Sequence, residues 1–145
     1  MRNLGQEDKA NLTTALDHAG QRATPQRETV FGVLLGQRDH PTADEVYART
    51  KSRLPTISMA TVYNCLEALV SSGLVKQVNI EREPTRYCPN LAPHAHFHCR
   101  ETGRVYDVPV PDRMMKDLAT VLPEKYSADS VELVFRGHLL KGKNK

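Results

Sequence analysis

Residues 94–99 read HAHFHC, so histidines fall at every second position, His94, His96 and His98, with Cys99 directly after them. On a β-strand, residues two apart project from the same face, which makes these imidazoles a row. Imidazole nitrogens bind zinc at about 2.0–2.1 Å, so two members of such a row can share one divalent ion. A thiolate or a carboxylate would complete the shell. Cys88, six residues before His94, and Asp107, on the stretch after Gly103, are the candidates. A lone strand histidine is usually a packed or surface imidazole, and His98 is read that way. Three in alternation beside Cys and Asp point to metal. Sulfur in the shell favours zinc or another soft ion, whereas a nitrogen and oxygen shell suits iron or manganese. His40, just before Pro41, is distant in sequence. It is either a plain turn residue or a fifth donor. As a donor it would let metal clamp the two halves of the chain and shift the population toward the closed state.

A second chemistry lies in SMATVYNCL, residues 58–66. The small residues Ser58, Ala60 and Thr61 at a helix start allow close approach to DNA. Thr61 offers a hydroxyl to phosphate and a methyl to thymine, Tyr63 an aromatic face, and Asn64 an amide for bases or phosphate. Helix-turn-helix modules read the major groove with this part of their second helix. A capped amphipathic helix with a polar outer face would carry similar residues. Arg22 and Arg27 are placed to reach the DNA backbone or minor groove, though single exposed arginines are commonly only solvated.

These residues need elements to hold them. Leu4, Leu12 and Leu16 predict a helix over 4–19 that ends at Gly20. Thr24-Pro25 predicts an N-cap and first helical residue, with Val30, Phe31, Val33, Leu34 and Leu35 as the buried face. His40-Pro41 is a break, since the residue before proline avoids the right-handed helical region. Thr42-Ala43-Asp44-Glu45 is a capping box opening a third helix, with Val46 and Tyr47 inside. Ser58 caps a fourth, with Val62, Leu66, Leu69 and Val70 at helical spacing and Gly73 as the stop. Residues 74–80 and 85–88 then read as a strand pair around a turn at 81–84. Short helices followed by a hairpin is the pattern of a winged helix-turn-helix. After a Pro- and Asn-marked linker, 94–99, 104–110 and 130–137 read as strands and 111–122 as a helix with Met114, Met115, Leu118 and Leu122 on one side. The fold class is therefore α+β: a winged-helix domain over 1–88, a hinge over 89–93, and a small α/β domain over 94–145. A domain of that size buries little surface alone, so dimerisation is expected.

Composition narrows the class. The chain has 145 residues, 39% hydrophobic, with a net charge of +3. Residues 1–83 balance ten basic against ten acidic residues, and three of the remaining ten basic residues fall in the tail KGKNK. Net charge gives no argument for nucleic acid, so that argument rests on the placement of residues. Three irregularly spaced cysteines, Cys65, Cys88 and Cys99, do not suit a disulfide framework. With no run of about 18 apolar residues and no signal-like N-terminus, the expectation is a cytoplasmic protein.

The chain resembles the ferric uptake regulator (Fur) family of metal-dependent bacterial repressors from about Gly20 to about Gly137. The motifs that carry the likeness are TPQR (24–27), HPTADEVY (40–47), ATVYNCLEAL (60–69), SGLV (72–75), TRY (85–87), HAHFHC (94–99), TGRVYD (102–107) and VELVFRGH (131–138). The resemblance implies a winged helix hinged to a dimerisation domain, and a homodimer that binds a pseudo-palindromic, A/T-rich operator. It places Ser58, Ala60, Thr61, Tyr63 and Asn64 on the recognition helix and Arg22 where a basic residue reaches the minor groove. It assigns one regulatory divalent metal per subunit to His40, Cys88, His94, His96 and Asp107. Aspartate at 107 is similar to the peroxide-sensing (PerR) branch, in which bound iron reacts with hydrogen peroxide and oxidises a ligand histidine. Cysteine at 88 is instead similar to zinc-sensing (Zur) members. The family's two Cys-x-x-Cys pairs are missing, since Cys99 is followed by Thr102 and by no later cysteine, so no structural four-cysteine zinc is expected. The leading expectation is a peroxide-responsive repressor using Fe2+ or Mn2+, and the second is a zinc-responsive one using Cys88. A metal-dependent hydrolase with Asp107 as base would leave the helical half without a purpose.

Overall fold

The computed structural model describes residues 4–140; the lysine-containing tail at 141–145 lies outside them. The chain forms two compact units, Met1–Leu91 and Ala92–Lys145.

The first unit begins with four helices, α1 (Gln6–His18), α2 (Pro25–Gly36), α3 (Ala43–Lys51) and α4 (Met59–Ser71). Their starts follow local chemistry. Thr24 Oγ1 accepts from the Arg27 amide at 3.2 Å, with Pro25 in the first turn. Thr42 and Glu45 form the reciprocal capping box, at 2.9 Å for Thr42 N to Glu45 Oε1 and 3.3 Å for Glu45 N to Thr42 Oγ1. Ser58 Oγ accepts from the Thr61 amide at 3.1 Å. Such caps satisfy backbone donors that the helix itself cannot, each worth about 1 kcal/mol. Gly20, at φ 74, turns the chain out of α1 through a left-handed conformation that costs glycine little.

Leu12 and Leu16 of α1, Val30 and Leu34 of α2, Val46 of α3, and Val62, Leu66 and Leu69 of α4 meet in one fully buried core. Truncating one of these leucines to alanine would cost about 2–5 kcal/mol. Leu35, Tyr47 and Val70 pack on this core but are only partly buried. The hairpin is shorter than its sequence implies. β1 (Lys76–Val78) pairs antiparallel with β2 (Arg86–Cys88), and only three residues of each strand are matched. An isolated bridge between Thr42 and Arg86 adds the segment before α3 to the β2 edge.

The second unit holds β3 (His94–Cys99), β4 (Val105–Pro109), α5 (Asp112–Ala119) and β5 (Val134–Gly137). The sheet order is β4-β3-β5, antiparallel between β3 and β4 and parallel between β3 and β5. β5 starts four residues later than the sequence pattern suggests, because pairing with β3 begins only at His96↔Val134. α5 ends at Ala119 rather than 122, in a turn closed by the Thr120 hydroxyl donating to the Asp117 carbonyl at 2.6 Å. None of its residues is buried, and Met114 is 54% exposed. Leu122, Tyr126 and Phe135 are exposed as well. Among the described residues, no helix is long and apolar enough to cross a membrane.

Candidate metal centre and nucleic-acid interface

The register of the second unit's sheet sets its donor cluster. His96 lies directly opposite Asp107 across the antiparallel β3–β4 pair, and His94 lies two residues before it on the same face. Cross-strand partners and same-face neighbours bring their side chains within reach of each other. His94 Nε2 and His96 Nε2 are 3.1 Å apart, and each is 3.4 Å from Asp107 Oδ1. Both rings are buried, while the Asp107 side chain is 34% exposed.

The His94 tautomer follows from its other nitrogen. Its Nδ1–H donates to the Ala92 carbonyl at 2.7 Å, so a neutral ring carries its proton there and Nε2 is its acceptor nitrogen. This assignment rests on the hydrogen-bond network, as proton positions generally do, and is the usual way a ligand imidazole is oriented.

Three atoms at 3.1, 3.4 and 3.4 Å lie on a circle of about 1.9 Å radius, so an ion ~2.0–2.1 Å from each fits just off their plane. The donor set therefore fits a divalent cation. His98 is also buried on this face, opposite Val105 on β4 and Arg136 on β5.

In the first unit, the other two sequence candidates come together. Cys88 ends β2, and the Tyr87 amide donates to the Pro41 carbonyl at 2.9 Å. This bond and the Thr42–Arg86 bridge draw residues 40–42 against β2, leaving a His40 ring nitrogen and Cys88 Sγ within 4.8 Å of each other. Both residues are buried. His40 avoids the right-handed helical region, as the following proline requires, by entering the left-handed one at φ 57. Held there, a non-glycine residue stores about 1–3 kcal/mol, a cost met mainly at functional sites.

Among the described residues no cysteine forms a disulfide. Cys99 is buried at the end of β3. Hydrogen bonds from the Thr102 hydroxyl, and then from backbone amides including that of Thr102, pull its thiol below the ordinary range. Cys65 is moved the other way, chiefly by burial.

The nucleic-acid candidates lie in the first unit. Arg22, Arg27, Thr61 and Asn64 line a single open groove of about 580 Å³ between the start of α2 and the start of α4. Tyr63 stands beside it on α4, 50% exposed, and Ser58 and Ala60 are exposed at the same helix start. The Ser58 hydroxyl donates to Thr61 Oγ1 at 2.9 Å, which leaves the Thr61 hydroxyl proton to be offered outward. Arg27 Nη1 donates to the Arg22 carbonyl at 2.7 Å, tying the loop that carries Arg22 to α2. Gln21, Gln26 and Cys65 also line the groove. Sequence reasoning did not select them, because glutamines and a core cysteine carry no periodic signal.

The sequence profile of the ferric uptake regulator family matches residues 18–135. The chain belongs to that family. A family relative, the peroxide-responsive repressor PerR of Staphylococcus epidermidis, is 36% identical over 97 residues. The aligned stretch takes in 67% of this chain and 65% of that repressor's own length. Among solved structures, the peroxide stress regulator of Campylobacter jejuni superposes with a TM-score of 0.68 at 28% identity, covering 98% of this chain and 100% of that one. The Helicobacter pylori ferric uptake regulator superposes at 0.73 with 18% identity, over 96% and 95% of the two chains. At that identity it speaks for the shared fold.

Proposed function

We propose that this chain is a homodimeric, metal-dependent DNA-binding repressor that responds to peroxide through bound Fe2+ or Mn2+. The observation that carries the reading is the His94–His96–Asp107 triangle, whose spacing suits one ion and whose His94 carries its proton on Nδ1 when neutral. His40 and Cys88 are the further ligands in this reading, contributed by the first unit. Five donors drawn from both units make metal occupancy a constraint on how the units are held. A ligand that binds one arrangement better shifts the population toward it, and a dimer needs one arrangement to meet two half-sites at once. The bound iron would supply the reactivity toward hydrogen peroxide, which in the peroxide-responsive branch ends with oxidation of a ligand histidine.

The protein's own residues do the rest. Tyr63, Asn64 and Thr61 meet base edges and phosphate, Ser58 and Ala60 allow the helix start to approach closely, and Arg22 reaches an A/T-rich minor groove. The exposed apolar side chains Met114, Leu122, Tyr126 and Phe135 suit the dimer contact. Residues 89–93 act as the hinge, and the setting is the cytoplasm.

A second reading is favoured by one residue. The Cys88 sulfur beside a His40 nitrogen is a softer donor than a carboxylate and suits zinc, so a zinc-responsive repressor is the alternative.

The test is DNA selection from a randomised duplex pool with Mn2+ or Zn2+ present. Binding of the selected duplex is then compared at fixed salt for apoprotein and metallated protein, before and after peroxide. Metal-dependent binding that peroxide abolishes in the Fe2+-loaded protein and spares in the Mn2+-loaded protein is the expected result. Equal affinity of the apoprotein removes the metal switch.

A further inference from the structure

His40 is held in its unusual backbone conformation from both sides. On its C-terminal side, Pro41 receives the Tyr87 amide at its carbonyl at 2.9 Å, Thr42 bridges to Arg86, and the capping box fixes Thr42 at the start of α3. Arg86 Nη1 donates to the carbonyl of His40 itself at 3.2 Å, while its Nη2 donates to Glu83 Oε1 at 3.2 Å. On the N-terminal side, Arg49 of α3 grips Asp39 with two bonds, Nη1 to Oδ1 and Nη2 to Oδ2, each 2.8 Å. Two parallel N–H···O bonds from a planar guanidinium fix orientation as well as distance. Residue 40 is thus the one joint between two anchored neighbours. Left to itself, a residue before proline relaxes to extended backbone, and its side chain leaves in a different direction.

These clamps sit near the surface, with Arg49 and Arg86 side chains 21% and 17% exposed and Asp39 at 48%. Partly solvated ion pairs add little to global stability. Their geometry is better explained by what they orient. We infer that Arg86 and the Asp39–Arg49 pair are positioning residues, which hold His40 left-handed so that its ring is already directed for metal binding. This rests on the proposed metal reading, and extends it to residues that never touch the ion.

The experiment is a Co2+ titration of full-length protein followed by visible absorption. It uses wild type, Arg86→Met, Arg49→Met, the conservative Arg86→Lys and Arg49→Lys, and each methionine change in a His40→Ala background. Far-UV circular dichroism and thermal unfolding of the apoproteins report on folding. Each methionine variant should weaken Co2+ binding about 10- to 100-fold, the usual range for residues that orient a ligand. The apo melting temperature should barely move, and the absorption band should change as a ligand is lost. Arg86→Lys should recover part of the affinity, since one donor to the carbonyl suffices. Arg49→Lys should not, since lysine cannot form the two parallel hydrogen bonds to Asp39. In the His40→Ala background the methionine changes should have no further effect. An equal loss in that background, or unchanged affinity in Arg86→Met and Arg49→Met, overturns the inference. Wild-type affinity in His40→Ala also overturns it and removes His40 from the site. The three-donor reading falls separately, if His96→Ala binds Co2+ as wild type does.

Discussion

Replacing His96 by alanine tests the metal centre most directly. His96 Nε2 takes part in two of the three short separations of the donor triangle, 3.1 Å to His94 and 3.4 Å to Asp107, and its removal leaves only one pair. A loss of at least ~100-fold in metal affinity, about 2.7 kcal/mol, is expected. Metal that binds only the folded state stabilises it by RT ln(1 + [L]/Kd), about 2.7 kcal/mol when free metal is 100 times Kd. A chain of 145 residues unfolds with an entropy of about 0.3 kcal/mol/K, so this corresponds to a rise of about 9 °C. At the same metal concentration the variant would sit near its own Kd, gaining about 0.4 kcal/mol and ~1 °C. The assay is thermal unfolding with and without Zn2+ or Mn2+. The quantity compared is the metal-induced rise within each protein, because His96→Ala in a buried position shifts the apo melting point on its own. An equal rise in both proteins would refute the argument, as would a wild type that no divalent ion stabilises.

Four further outcomes are expected. Tyr63→Ala should weaken binding to the selected duplex by about 1–3 kcal/mol at matched salt with unchanged apo stability, whereas unchanged affinity would remove α4 as the reading helix. Cys88→Ser should abolish a zinc response and leave a manganese response weakened but present, since a hydroxyl oxygen suits manganese better than zinc; equal loss of both responses would refute a discriminating role for Cys88. In apoprotein variants that keep only one cysteine, thiolate absorbance of Cys99 should develop at lower pH than that of Cys65, since hydrogen-bond donors favour the Cys99 anion and burial disfavours that of Cys65. Thr102→Val should move the Cys99 titration upward, and an unmoved curve would discard the hydroxyl as its cause.

The features legible in the sequence are those decided within a few residues. Thr24, Thr42 and Ser58 could be read as caps because each acts on an amide three positions away. The alternation of HAHFHC placed His94 and His96 on one face, and the single turn at Gly103 was short enough to put Asp107 beside them. What stayed hidden depends on distant partners. The bond from Arg86 to the His40 carbonyl spans 46 residues, and no periodicity in TRYC announces it. Strand limits also follow the partner strand rather than the strand's own pattern. Residues 74–80 read as one strand from their apolar positions, yet only Lys76–Val78 have residues opposite them. Parallel pairing of β5 with β3 is likewise a property of the crossover through α5.

In the proposed reading, the metal preference follows from how the donors are divided. The second unit supplies two imidazoles and a carboxylate, a set that iron, manganese and zinc all accept. It can create affinity but has little power to choose among them. The choice falls to the first unit, where Cys88 is the only sulfur in the proposed set. Cys88 ends the strand whose preceding residues, Arg86 and Tyr87, bond to the His40 and Pro41 carbonyls. The donor that discriminates and the donor whose backbone is strained therefore hang from one short strand of the wing. Shifting that strand would move both at once. In the proposed reading, a substitution on β2 that leaves every ligand in place should change the relative affinities for zinc and manganese, not only the overall strength of binding.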